Sequence, residues 1–235
     1  MIKLRMLFLG ALMSALVNQI ALALPTPVGP AESGSGDGLK ARWVNTDFSP
    51  HSVADALAAL ALGPGDAGYV AEASGIAARI DYEDGDYGGE LFNGGELPLP
   101  LGADDNFAVS YSGFINIKQA GSYSFRSFTD DGFRLTIGGE IVSIFDGDRG
   151  PGASLDSVDL VTGLYSFEFI GWEQGSLFVN ELAWIKPGDT NFTQPGGAND
   201  LVFFSTHGDF PVPEPMTSAL LGIGLVLLGS YRRKI

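Results

Sequence analysis

The sequence contains no cysteine, so no disulfide bond can stabilise this chain. It has two histidines, His51 and His207, which lie far apart without cysteine or aspartate at metal-ligand spacing. Neither a zinc site nor a Ser-His-Asp triad is therefore indicated. Because disulfides are excluded, the loops need another source of rigidity, and carboxylates around a metal ion are one candidate.

Basic residues are scarce, with 13 Lys and Arg against 28 Asp and Glu. The terminal segments 1–23 and 216–235 carry five of the basic residues and none of the acidic ones, which leaves a net charge of −20 between them. Nucleic acid and bare anionic membranes are poor partners for such a surface, because both require a basic footprint. Cations and neutral sugars are compatible with it.

The N-terminal apolar run is too short for a membrane span, which needs about 20 residues. It extends over 6–17, where the polar pair Asn18-Gln19 ends it, and the small-x-small sequence Ala21-Leu22-Ala23 follows. Two basic residues come before it. This order predicts a signal peptide over residues 1–23, cleaved after Ala23, in preference to a membrane anchor.

The C-terminal apolar run, residues 216–231, is also short for a permanent span and ends in a basic cluster. By the positive-inside rule these cations stay cytoplasmic, so the pattern predicts a transient anchor at the inner membrane. The order Pro-Glu-Pro, apolar segment, basic cluster over 212–235 resembles the PEP-CTERM sorting signal. The resemblance implies processing by an exosortase and a place on the surface or in the biofilm matrix of a Gram-negative bacterium. A retained single-pass anchor is the alternative. The motif residues are Pro213, Glu214, Pro215, Arg232 and Arg233.

Between the two ends, alternating aromatic residues predict an all-β fold. Apolar residues occupy every second position in several short segments, as in Tyr165, Phe167 and Phe169, which is typical of antiparallel strands with one buried face. Gly138-Gly139 has the spacing of a two-residue hairpin turn. We therefore expect an antiparallel β-sandwich.

Two further segments complete this organisation. Residues 24–37 are rich in proline, glycine and serine, which predicts a flexible leader. Ser52 and Asp55 form a capping box, and Gly63-Pro64 is a stop signal, so one short helix is expected near the N-terminal end of the domain.

Asp130-Asp131-Gly132 lies where two predicted strands meet. Adjacent carboxylates at such a turn raise each other's pKa unless a cation neutralises them, and hard oxygen ligands suit Ca²⁺. The alternative is that Asp-Asp-Gly is simply good turn chemistry.

Four spaced motifs resemble the protective-antigen-type β-sandwich domain, which occurs in anthrax toxin, yeast flocculin-type adhesins and many glycoside hydrolases. The resemblance covers residues 38–187, and 188–211 then holds a Gly/Asn-rich loop and either a last strand or an extension toward the tail. The motifs are the run from Asp105 to Phe114, the run from Ala120 to Phe125, Asp130-Asp131-Gly132-Phe133-Arg134-Leu135, and Ile137-Gly138-Gly139.

The resemblance implies that Asp130 and Asp131 bind Ca²⁺, that their peptide bond is cis, and that the ion also touches sugar hydroxyls. The family takes further ligands from a loop before the last core strand, often including an asparagine. Here that loop is Trp172-Glu173-Gln174-Gly175, so Glu173 or Gln174 must substitute. The Trp172 ring is a candidate for stacking on a sugar.

Other acidic groups favour solvated loops. Asp81, Glu83, Asp84 and Asp86 lack the pattern of an EF-hand, which favours a solvated loop, with a separate cation-binding loop as the alternative. Residues 146–149 are predicted to form a charged surface loop. Since the family's domain binds without catalysing, we expect a Ca²⁺-dependent glycan-binding protein and no enzyme. A structural surface protein in which a metal only stabilises loops is the alternative.

Overall fold

The computed structural model describes residues 23–84, 90–92, 94–96, 105–197 and 200–207. The predicted sorting tail, with Pro213, Glu214, Pro215, Arg232 and Arg233, lies outside these residues, as does all but the last position of the signal peptide. Within the described ranges, no helix is long and apolar enough to cross a membrane.

Two β-sheets and one helix make up the described structure. A seven-stranded sheet has the order β2-β1-β5-β10-β7-β8, with β12 also paired to β5, and a five-stranded sheet has the order β4-β3-β11-β6-β9. All pairs are antiparallel except β3 with β4. The predicted β-sandwich is confirmed. The elements in chain order are β1 (Leu39–Thr46), α1 (Val53–Leu60), β2 (Tyr69–Ala77), β3 (Asp81–Glu83), β4 (Gly95–Glu96), β5 (Phe107–Ile117), β6 (Gly121–Asp130), β7 (Phe133–Ile137), β8 (Glu140–Phe145), β9 (Gly152–Leu160), β10 (Gly163–Glu173), β11 (Val179–Ile185) and β12 (Phe203–Phe204).

Aromatic side chains fill the space between the sheets. Alternate residues of β10, including Tyr165, Phe167 and Phe169, are fully buried there. They face Phe125 and Trp184 from the five-stranded sheet. The alternation in the sequence thus reflects burial of one face, as period-two patterns require. The Gly138-Gly139 turn joins β7 to β8 with φ angles of 60° and 85°, which glycine adopts at little cost.

The helix forms a third layer on the outer face of the seven-stranded sheet. The Ser52 side chain accepts a hydrogen bond from the Asp55 backbone N–H, as the capping box predicts. The buried side of α1 packs over Ile170 and Trp172 of β10. The helix therefore covers the end of β10 that leads into the candidate site.

The segment predicted as a flexible leader makes backbone hydrogen bonds with the sandwich and with residues near β12. Val28 N–H donates to the Leu164 carbonyl at 2.7 Å, and Gly36 N–H donates to the Leu201 carbonyl at 2.9 Å. The leader satisfies backbone groups that the neighbouring segments would otherwise leave unpaired. The proline and glycine content of this segment does not distinguish a free leader from one that is hydrogen-bonded to the domain. Residues 203–204 form a short last strand on β5, one of the two predicted alternatives.

Strand ends bring the candidate residues together. Asp130 ends β6 in one sheet, and Glu173 ends β10 in the other. Both strands end at the same edge of the sandwich, so the loops after them meet there.

Candidate cation site

Three carboxylates converge at this edge. Side-chain oxygens of Asp130, Asp131 and Glu173 all lie within 4.8 Å of one another, the one such group of three among the residues that the structure describes. Only 6%, 3% and 0% of these residues is exposed, respectively. The Asp130-Asp131 peptide bond is cis, as the family resemblance implied.

Gly132 lets the aspartate turn pack closely on the sandwich. A Cβ atom at this position would overlap the Trp172 indole and lie 2.5 Å from the Phe145 carbonyl oxygen. The Asp131 N–H donates to the Trp172 carbonyl at 3.0 Å, which ties the turn to the end of β10. Trp172 thus forms the support beneath the aspartates.

This position corrects the role predicted for Trp172. Its side chain is fully buried with Val44 and Ile170 beneath the helix, so neither ring face is open to a sugar. A stacking platform needs an exposed ring. The structure gives Trp172 a supporting position in its place.

The Asp131 side chain is held by two backbone donors. Its Oδ1 accepts from Arg149 N–H at 3.1 Å, and its Oδ2 accepts from Gln174 N–H at 2.9 Å. Because a carboxylate oxygen has more than one lone pair, both atoms keep capacity for a cation. Gln174 was predicted as a side-chain ligand, but its contact with Asp131 is made by its backbone N–H.

Hydrogen bonds satisfy only one of the two carboxylate oxygens of Glu173. Its Oε1 accepts from Gly175 N–H at 2.5 Å. Its Oε2 is buried and has no hydrogen-bond partner anywhere in the described ranges. An unpaired buried carboxylate oxygen is costly, so a cation bound to this atom would remove an energetic penalty.

The electrostatics of the group favour a positive ligand. Burial, and then the charge of Asp131, raises the pKa of Asp130 to about 7. The same two causes raise the pKa of Glu173 to about 9. Burial also raises the pKa of Asp131. Without a cation these groups therefore retain protons that ordinary carboxyl groups release.

The site opens into a pocket with a volume of about 420 Å³. Asp130 and Asp131 line this pocket, whereas Glu173 is fully buried beside them and is not part of the lining. At the rim, Asp148 contacts His51, with 2.7 Å between Oδ2 and Nδ1. The lining residues are Asp130, Asp131, Asp148, Arg149, Gly150, Pro151, Gln174, Gly175, Ser176 and Leu177.

The donor set fits Ca²⁺. Three buried carboxylates, one of them with an orphan oxygen, provide the hard oxygen ligands that this ion prefers. The open side of the pocket leaves room for further oxygen ligands. Asp130, Asp131 and Glu173 are thus the residues that would hold the ion.

Several residues predicted to lie in solvated loops instead make buried or partly buried contacts in or near the site. The Arg149 side chain donates to the carbonyl oxygen of Asp131 at 3.3 Å. Asp84 accepts from Phe178 N–H at 3.1 Å, and Asp81 is buried beside Arg79. Asp86 lies outside the described residues. A charged residue next to glycine and proline looks the same in sequence whether its side chain turns inward or outward.

Comparison with known proteins gives matches at the level of structure. No model of a protein family matches the chain. No curated protein matches its sequence.

Several solved structures share the fold. The PA14 domain of the antifreeze protein MpAFP matches with a TM-score of 0.57 and 20% identity, covering 75% of this chain and 95% of that one. A PA14 sugar-binding domain from an RTX adhesin matches at 0.52 and 22%, covering 68% and 95%. The A domain of epithelial adhesin 9 from Candida glabrata, in complex with Galβ1-3GlcNAc, matches at 0.53 and 12%, covering 80% and 99%. The chain therefore has the β-sandwich fold of PA14 domains, the fold that its motifs predicted.

Proposed function

We propose that this chain is an exported surface protein whose sandwich binds a glycan through a Ca²⁺ ion held by Asp130, Asp131 and Glu173. The observation that carries the proposal is the convergence of these buried carboxylates below an open pocket, with one oxygen of Glu173 unpaired. Buried charges of one sign require neutralisation, and the site is open on the side from which a ligand would arrive.

Each side chain has a separate role in this proposal. Asp130 and Asp131 line the pocket and would face the sugar, while Glu173 is fully buried and would ligate the ion from within the protein. A bound Ca²⁺ ion would offer open coordination positions to vicinal sugar hydroxyls. The Gln174–Leu177 segment and Pro151 line the pocket around that position and would contact the rest of the sugar. Binding needs no proton transfer, so we propose a binding module and no enzyme.

The ends of the chain support a surface location. The signal sequence over 1–23 would direct export, and the PEP-CTERM-like tail over 212–235 would hold the domain at the inner membrane until an exosortase processes it. Two of the structural neighbours are named as adhesin domains, one of them a sugar-binding domain and the other in complex with a galactoside. We propose an exopolysaccharide or another glycan at a Gram-negative cell surface as the partner.

Calcium titration and a glycan array test the proposal. The full chain should bind Ca²⁺ in calorimetry and retain glycans on the array only when the ion is present. Asp130→Asn should abolish both, because it removes a ligand charge with little change in shape. Asp189→Asn is the matched control, since Asp189 is exposed on a loop at the opposite end of β11.

Two results would overturn parts of the proposal. Equal glycan retention in calcium and in chelator would eliminate the ion-mediated mechanism. Calcium that raises the melting temperature while the array stays blank would identify the metal as a structural staple and the chain as a surface scaffold.

A further inference from the structure

Arg149, in the loop between β8 and β9, is half-buried and directs its guanidinium group at protein atoms. Its Nε donates to the Asp131 carbonyl at 3.3 Å, one terminal nitrogen donates to Thr129 Oγ1 at 2.6 Å, and the other donates to Ser154 Oγ at 3.2 Å. The Arg149 backbone N–H holds Asp131 Oδ1. One residue therefore fixes both the backbone and the side chain of Asp131.

Aromatic rings fix the guanidinium itself. The Arg149 Cζ atom lies 4.4 Å from the centre of the Phe145 ring and 5.6 Å from that of Phe133. A planar guanidinium stacks on such faces and presents its donors in a rigid fork, which an ammonium group cannot reproduce. The contact pattern is thus specific to arginine.

The hydroxyl of Thr129 joins the same network. It accepts from Arg149 and donates to the Asp131 carbonyl at 2.9 Å. The Thr129 hydroxyl and the Arg149 guanidinium therefore both donate to the Asp131 carbonyl oxygen. This oxygen belongs to the same residue whose carboxylate would ligate the cation.

Charge alone argues against an arginine here. A positive side chain close to Asp130 opposes the approach of a divalent cation, because like charges repel. Its donors are directed at protein atoms, at a carbonyl and two hydroxyls. What Arg149 contributes to the site is therefore geometric.

We propose that Arg149 is a positioning residue of the cation site, which acts with Thr129 by holding the Asp131 backbone and carboxylate in the ligating position. This inference rests on the proposed cation site. Removing partners of metal ligands that are not themselves ligands typically costs on the order of 10- to 100-fold in metal affinity.

Substitutions that separate charge from geometry test the proposal. In the full chain, Arg149→Lys keeps the charge and loses the fork, whereas Arg149→Met loses both. If Arg149 positions Asp131, both variants bind Ca²⁺ on the order of 10-fold or more weakly. If its charge dominates, Arg149→Lys binds like the wild type and Arg149→Met binds more tightly, which would overturn the proposal.

A second pair of variants covers the case in which position 149 does not tolerate change. Thr129→Val should weaken Ca²⁺ binding, and Thr129→Ser, which restores the hydroxyl, should recover it. Terbium luminescence reports the coordination of the ion directly, and melting temperatures in chelator report folding. Unchanged affinity in Thr129→Val would contradict the positioning role. Failure of the wild type itself to bind Ca²⁺ or Tb³⁺ would instead eliminate the cation site.

Discussion

The carboxylates of Asp131 and Glu173 accept hydrogen bonds from consecutive backbone N–H groups of one loop. Asp131 Oδ2 accepts from Gln174 at 2.9 Å, and Glu173 Oε1 accepts from Gly175 at 2.5 Å. The same two side chains form part of the candidate cation site. A cation placed there would bind groups that already determine the shape of the loop.

Acidic side chains also hold the rest of this loop. Ser176 N–H donates to Asp105 at 3.0 Å, and Phe178 N–H donates to Asp84 at 3.1 Å. Such bonds are strengthened when the acceptor carries a charge. Residues 174–178 therefore form an acid-held loop, of which 174–177 line the pocket. The order of this loop should depend on the protonation and charge of those acids.

Calcium should slow hydrogen exchange in this acid-held loop. Neutralisation by the ion would keep Asp131 and Glu173 ionised, and an ionised acceptor holds the N–H groups of Gln174 and Gly175 more strongly. Hydrogen–deuterium exchange with mass spectrometry, with and without Ca²⁺, measures this protection. Residues 186–189, at the other end of β11, provide an internal control that should not change. Equal exchange rates of residues 174–178 with and without Ca²⁺ would show that the order of this loop does not depend on the cation site.

Glu173→Gln should separate stability from cation binding. The amide keeps the size of the side chain and removes a charge that is buried beside two other carboxylates. In chelator at pH 10, we expect the variant to be more stable than the wild type by about 1 to 3 kcal/mol, the range for an unsatisfied buried polar group. Addition of Ca²⁺ should stabilise the wild type and leave the variant unchanged. Denaturant unfolding under both conditions measures this, and equal calcium stabilisation of both proteins would remove Glu173 from the ligand set.

The ion-free protein should lose stability as the pH rises from 5 to 9. Burial raises the pKa of Asp130 to about 7 and that of Glu173 to about 9, whereas unfolded carboxyl groups titrate near about 4. Between these values the folded state binds more protons than the unfolded state, so stability is fully present below the unfolded pKa and falls as pH passes through the folded values. Melting temperatures in chelator across this range measure the effect.

Variants and calcium provide the controls for this pH dependence. Glu173→Gln should flatten the upper part of the curve, and the exposed Asp189→Asn should not change it. Calcium affinity should fall toward pH 5, because the ligands must release their protons to bind the ion. An ion-free protein whose stability rises between pH 5 and 9 would contradict the assigned burial.

The sequence was sufficient to predict the aromatic strands of the core and the position of the aspartate pair at a strand junction. Alternation in Tyr165, Phe167 and Phe169 depends only on the two faces of a strand, which are local properties. Because side chains alternate between the two faces of a strand, Trp172, three residues after Phe169, lies on the face opposite to that of Phe169. That the helix α1 covers this face is a tertiary fact, so the buried position of Trp172 could not be obtained from parity alone.

The remainder of the site depends on which strand ends meet. Asp130 and Glu173 end strands in different sheets, and Arg149 lies in a third loop, so their convergence follows from sheet packing and register. Residue type gives no indication of it, because acidic and basic residues near glycine and proline are typical of solvated loops. The leader shows the same ambiguity, since its composition is equally compatible with a free segment and with one hydrogen-bonded to β10.

Gly132→Ala should damage the site by displacing its support. The new methyl group would overlap the Trp172 indole and approach the Phe145 carbonyl oxygen to 2.5 Å, so the aspartate turn must shift. We expect a loss of about 1 to 3 kcal/mol in unfolding free energy, as for other overpacked sites, together with weaker Ca²⁺ binding. Gly150→Ala is the matched control in the same pocket, because nothing lies within 4 Å of a Cβ atom there. Urea unfolding and calcium titration of both variants measure the two effects. Equal behaviour of the two variants would show that close packing of Gly132 on Trp172 does not set the position of the aspartates.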